Sequence, residues 1–192
     1  GIGPGDEVIV PNFTMIASAN AFKMIGATIR LVDVEPKSLY LDPQLLPNFI
    51  SKKTKAIVLV NANGRYPNYD LHMIREIAEN YNISIIEDAA QAIGCYYSNA
   101  AHIGSFGDIS TLSFSAPKLI SMGQGGAVMT NDNALAQKIR KIKDFGRSSG
   151  GNDIHEVIGY NFKITDMQAV VGQTQMLKLP SRIIRKKEIY EL

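Results

Sequence analysis

Cysteine is nearly absent from this 192-residue chain, where Cys95 stands alone. One thiol cannot close an intramolecular disulfide or build a cysteine-rich metal site, which fits a reducing, cytoplasmic setting; no residue is assigned as a metal ligand. Long apolar runs are missing as well: none approaches the roughly 20 residues of a membrane-crossing helix. The opening residues lack a leader's charged, apolar and small-residue order. Excess charge is also scarce, since 20 Lys and Arg against 18 Asp and Glu leave a net +2. That excludes the strongly basic surface a nucleic-acid partner calls for. The glycine-rich stretch 123–126 lacks both G-x-G-x-x-G and G-x-x-x-x-G-K-[ST], so neither dinucleotide nor P-loop binding is indicated.

What is present suits a packed α/β core: 45% hydrophobic and 20% charged residues. Apolar runs at 7–10, 28–34, 55–60, 83–86, 109–114 and 126–130 read as strands. Between them, 14–25 reads as a helix closed by Gly26, and Asp42-Pro43 as the start of a short one. Asp70 is placed to cap a helix carrying Leu71, Ile74, Ile77, Ala78 and Tyr81 at three-and-four spacing. Further helices are expected at 134–144, at 165–177 behind a Thr165–Gln168 capping box, and after Pro180 with Ser181 as cap. Alternating strands and helices predict a mostly parallel sheet covered on both faces, with ligands at the carboxyl ends of strands. The chain starts without methionine at Gly1 and stops at Glu191-Leu192 inside a helical pattern, so a segment lacking both ends is expected.

Asp88 sits at one such strand end, in EDAAQ, and as a lone acid it is open to metal binding, base catalysis, pairing with a protonated ring nitrogen, or loop capping. Lys118 follows another strand end, in SFSAPKLISMGQGG, where the glycines let the backbone turn tightly nearby. Asp88, Gln91, Ser113, Lys118 and a glycine turn, in that order, resemble the active-site layout of fold-type I pyridoxal-phosphate enzymes. Within these the chain resembles the DegT/DnrJ/StrS-type sugar-nucleotide aminotransferases along nearly its whole length. The resemblance is carried by GDEVIVP at 5–11, EDAAQAIG at 87–94, Gly107-Asp108, Ser113-Phe114-Ser115 with Lys118, Gly125-Gly126 and Gly159-Tyr160-Asn161-Phe162.

The resemblance implies the fold-type I large domain, a mostly parallel seven-stranded-type sheet with helices on both faces. It assigns 1–180 to the cofactor-binding domain and 181–192 to the helix leading to a small C-terminal domain. It implies pyridoxal 5'-phosphate (PLP) as cofactor, with Lys118 forming the Schiff base and moving protons. Lysine nucleophiles need a desolvated, electropositive site, with which Pro117 and apolar Leu119-Ile120 are compatible. Asp88 would keep the pyridinium nitrogen protonated, Gln91 would touch the ring, and Ser113 would bind its phosphate. Asn161 would reach the phosphate of a neighbouring subunit's cofactor, making the active unit a homodimer with the site at the interface. In the family segment around Thr14 an aromatic residue often covers the ring; here Met15 would supply a thioether contact instead.

The implied reaction moves an amino group from an amino acid, usually glutamate, to a nucleotide-linked keto sugar, in cell-surface polysaccharide (lipopolysaccharide) or amino-sugar biosynthesis. Arg65, in an Asn-Gly turn after a strand end, is open to two roles, a bidentate diphosphate or carboxylate contact and a solvated turn residue. His155, in a loop, is a further substrate candidate, while His72 reads as surface and Cys95 as core. Late basic residues such as Arg140, Lys143 and Arg147 read as a solvated face or a site for an anion. Two alternatives compete: a PLP-dependent sugar dehydratase, whose members carry histidine in place of the lysine, and a non-catalytic regulatory or binding relative. Lys118 weighs against the first, and intact Lys118, Asp88 and Ser113 together weigh against the second.

Overall fold

The computed structural model describes residues 1–151 and 153–192. They form two compact units, Gly1–Ser113 and Phe114–Leu192.

In the first unit the apolar runs become β1 (Glu7–Pro11), β2 (Thr28–Val32), β3 (Thr54–Val60), β4 (Ser84–Asp88) and β5 (Ile109–Ser113). All neighbours pair in parallel, in the order β2-β1-β3-β4-β5. The chain leaves β1 in one direction to reach β2 and in the other to reach β3, which creates a crevice at their carboxyl ends. Strand alternation sends side chains to two separate cores. Val8, Val10, Ala56, Val58 and Val60 face Ala19 and Phe22 of α1 (Ala17–Lys23). Ile9, Ile57, Leu59 and Ile85 face α2 (Leu46–Phe49) and α3 (His72–Asn80), meeting Leu46, Ile74 and Ala78. Each fully buried branched side chain contributes roughly 1.5–3 kcal/mol, so both faces are firmly covered.

In this unit the strands matched the sequence reading closely, and the helix starts did not. Residues 14–16 lie outside any helix, and α1 begins only at Ala17; Gly26 does close it, with φ 86°. Asp42 accepts the amide of Gln44 in a turn, while α2 starts at Leu46 with Pro47 in its first turn. Asp70 accepts the His72 amide from just outside α3, whose cap residue is Leu71. Tyr81, expected on the buried face, closes that helix and is exposed because the chain turns away there.

The second unit holds β6 (Gly126–Met129), α4 (Asn133–Lys143), α5 (Asp166–Leu177) and α6 (Leu179–Tyr190). Six strands thus lie among the described residues, one fewer than the seven of the expected fold type. Asp132 caps α4 by accepting the amides of Ala134 and Leu135. Thr165 and Gln168 form the expected capping box on α5. Pro180 lies in the first turn of α6, where a missing amide hydrogen costs nothing. Ser181 is therefore inside that helix and not its cap; its hydroxyl donates back to the Lys178 carbonyl.

Candidate active site

The carboxyl ends of β1, β3, β4 and β5 carry a linked set of polar groups in the first unit. Asp88, the last residue of β4, accepts the Ser18 hydroxyl at 2.6 Å on Oδ2 and the Ala90 amide at 3.1 Å on Oδ1. Because Ser18 donates to the carboxylate, the 2.8 Å contact between the Thr14 and Ser18 hydroxyls runs from Thr14 to Ser18. Ser18 is buried in the first turn of α1, so this chain of hydroxyls fixes the carboxylate from the α1 side. The backbone pins the same point: the Asn61 amide donates to the Asp88 carbonyl, and the Ala89 amide to that of Thr111.

Gln91 is exposed, and its Oε1 accepts the Asn63 amide at 2.6 Å, tying it to the turn Ala62–Gly64 after β3. That turn is tight: Asn63 has φ 55°, and a Cβ on Gly64 would meet Cys95 Sγ at 2.8 Å. Met15 is 62% exposed beside Thr14, and its sulfur accepts the Ala17 amide. Arg65 is exposed, with a guanidinium nitrogen 3.5 Å from the Lys37 carbonyl. Ser113 ends β5 on the strand next to Asp88. The structure thus brings Thr14 and Asp88 together through Ser18, and leaves Met15 and Arg65 on the surface of the unit.

Glu87, one residue before Asp88, is fully buried. Its Oε1 accepts the Tyr97 hydroxyl and the Gly104 amide (2.7 Å); its Oε2 accepts the amides of Phe106 (3.0 Å) and Gly107 (3.1 Å). Four donors satisfy an otherwise costly buried carboxylate. Burial, reinforced by the negative charge of Glu87, pushes the Tyr97 phenol far above its ordinary range. Burial does the same to Tyr40. Gly107 must be glycine here, since a Cβ would lie 2.9 Å from the Ile109 carbonyl and 3.1 Å from Glu87.

In the second unit Lys118 is half-buried in the turn between Phe114 and Gly125. The Phe114 amide donates to the Gly125 carbonyl, the Met122 amide to Phe114, and the Lys118 amide to Ser115. Ile120 and Met122 anchor the turn by burial. Gly172 of α5 lets Met122 approach so closely that a Cβ would lie 2.7 Å from its sulfur. Two side chains clamp the turn's carbonyls: Gln168 reaches Gln124 at 3.1 Å, and Arg182 reaches Leu119 at 2.6 Å.

Asn161 and His155 lie on a short antiparallel crossing, with bridges Asp144–Asn161 and Arg147–His155. His155 is exposed, and its Nδ1 lies 2.8 Å from the Phe145 carbonyl, which accepts from it. The two backbones cross at Gly146 and Gly159, where added Cβ atoms would come within 1.7 Å and 2.1 Å of opposing backbone atoms.

Sequence reasoning missed Ser18, Glu87 and Tyr97. Ser18 had a signal, lying one helical turn beyond Thr14; Glu87 had none, because its donors come from a loop whose path no local pattern encodes.

The sequence pattern of the DegT/DnrJ/EryC1/StrS aminotransferase family matches residues 1–192. The chain is similar to the GDP-perosamine synthase of Escherichia coli O157:H7, with 41% identity over all of this chain and 52% of that protein. The X-ray structure of the aminotransferase from Psychrobacter cryohalolentis superposes with a TM-score of 0.85 at 38% identity, covering 94% of this chain and 48% of that one. The Streptococcus pneumoniae protein Spr1654, solved in its PLP-form, gives 0.89 at 27% identity over 99% of this chain and 53% of that one. The chain spans about half the length of the curated relatives it matches. With a fold of the same kind, and with the motifs around Asp88, Lys118 and Asn161 in place, the chain belongs to the DegT/DnrJ/EryC1/StrS aminotransferase family.

Proposed function

We propose that this chain serves a PLP-dependent aminotransferase that moves an amino group from an amino acid, glutamate first, to a nucleotide-linked keto sugar. Cell-surface polysaccharide or amino-sugar biosynthesis is the setting, in a reducing cytoplasm. The name of the Escherichia coli relative makes guanosine-diphosphate sugars the first substrates to try. The observation that carries the reading is Asp88, held at the end of β4 by Ser18 and Ala90 with both oxygens accepting. A carboxylate oriented in this way suits a cationic ring nitrogen, so the residues present fit PLP.

When bound, PLP supplies an aldehyde and an electron-withdrawing ring. Asp88 would hold the proton on the ring nitrogen, while Ser18 and Thr14 keep its carboxylate from turning. Ser113 would take the phosphate through its hydroxyl, with Gln91 and Met15 beside the ring. Lys118 Nζ would anchor the cofactor and then carry a proton between donor and acceptor carbons. Arg65 and His155 would meet the substrate. Asn161 would reach the phosphate bound by a second copy, making the working unit a homodimer. On this reading residues 1–180 are the cofactor-binding domain, and 181–192 open the helix that follows it.

The test is Lys118→Ala. Turnover of a GDP-linked keto sugar with glutamate should fall by at least about a thousandfold, as for loss of a covalent catalyst. Turnover unchanged in that variant would overturn the reading.

A further inference from the structure

A pocket of about 460 Å³ in the second unit is lined by Arg140, Lys141, Lys143, Arg147 and Lys163, together with Ser148 to Gly150 and with Asp144 as its one carboxylate. Five cations against one anion leave it a formal charge of +4. Part of that charge is committed: Lys163 pairs with Asp144, and Lys141 with Glu156, which lies outside the lining. Arg140 and Lys143, one turn apart on α4, make no ion pair among the described residues. Arg147 is the most telling. Its guanidinium carbon lies 5.0 Å from the centre of the Phe145 ring, and its Nε is buried with no hydrogen-bond partner among the described residues. Lys163 Nζ uses the same ring from 4.2 Å.

Cations held this close repel one another, and a buried guanidinium N–H without an acceptor costs free energy. A multivalent oxyanion relieves both costs at once, since its oxygens accept from Arg147 while its charge offsets Arg140 and Lys143. We propose that this pocket is a phosphate or diphosphate site, with Arg147 as the buried donor and Arg140 and Lys143 as the mouth. Two sources share that chemistry. One is the diphosphate of a nucleotide-linked substrate, a version that rests on the function proposed above; the other is a free phosphorylated metabolite.

Calorimetric titration of the chain with inorganic pyrophosphate tests the site. Saturable binding is expected, weakened by at least about tenfold in R140Q/K143Q, because each charge-assisted contact is worth about an order of magnitude. Arg147→Gln should weaken it similarly. The same charge change on α6, K186Q/K187Q, should leave affinity within about twofold, because those residues lie outside the pocket. Absence of saturable binding, or equal losses in the two double variants, overturns the proposal. Competition by UDP or GDP identifies the substrate diphosphate as the source; pyrophosphate binding without such competition identifies a free metabolite, and either supports the site. Absorbance of added PLP should be unchanged in R140Q/K143Q, so failure here and failure of the aminotransferase reading are told apart.

Discussion

Glu87→Gln isolates the energetic role of the residue next to the proposed cofactor aspartate. The wild-type carboxylate accepts from four groups, the Tyr97 hydroxyl and the amides of Gly104, Phe106 and Gly107. A glutamine keeps one accepting oxygen and turns the other into a donor. Its cheaper orientation points the new NH₂ at Tyr97, whose hydroxyl can rotate and accept, and leaves the Gly104 amide facing a donor. One orphaned buried amide costs about 1–3 kcal/mol, and losing the charge of the remaining bonds adds about 1 kcal/mol. The expected loss is therefore about 2–4 kcal/mol. With a urea dependence of about 2 kcal/mol per molar, in the middle of the usual range, the midpoint should fall by about 1–2 M. Far-UV circular dichroism of the variant beside an exposed control, Glu79→Gln, reads this directly. A midpoint within about 0.3 M of the control would refute the four-donor account.

Two further outcomes are expected. Gly146→Ala places a Cβ 1.7 Å from the Val157 carbonyl at φ 81°, so the crossing that carries Asn161 and His155 must open. The amides of Glu156 and Tyr160, which bond across it, should lose hydrogen-exchange protection, and retained protection would contradict the geometry. Asp144 is held below its ordinary value of 3.8 chiefly by the hydrogen bond from Lys163. A depressed folded-state carboxylate contributes stability that is complete above that ordinary value and is lost as pH falls below it. Melting temperatures compared at about pH 6 and about pH 3 should therefore differ less in Lys163→Gln than in the wild type. An equal difference would remove the Lys163 bond as the cause.

Strands and turns were legible in the sequence because their signals are local. The run 55–60 is apolar throughout, and Gly26 marks a helix end; the structure has β3 and a positive φ at these points. Helix starts were misread wherever a capping residue also suited a free turn. Asp42 accepts a nearby backbone amide and Thr14 bonds to the Ser18 hydroxyl, each without opening a helix, as short polar side chains readily do. The carboxylate at 88 was visible as a strand-end acid. Its partner Ser18 lies 70 residues away and comes into reach only once β1 and β4 join one sheet.

Glu87 and Asp88 also show why adjacent acids in one motif do unlike work. Successive residues of a strand point to opposite faces, and the parallel register pairs Leu59 with Glu87 and Val60 with Asp88. Leu59 belongs to the core beneath α2 and α3, so Glu87 enters that side and gathers the loop amides of 104–107. Val60 belongs to the core beneath α1, so Asp88 emerges where the Ser18 hydroxyl waits. Exchanging the two residue types would leave the composition unchanged and defeat both sites only if their chemistry differed; both are carboxylates, and what separates them is side-chain length and burial. The longer glutamate spans the distance to three amides and a phenol, while the shorter aspartate stays at the strand end, half-buried and within one bond of α1. A one-residue shift of β4 against β3 would send each to the other's face, so the register that fixes the core also fixes which carboxylate is available for chemistry.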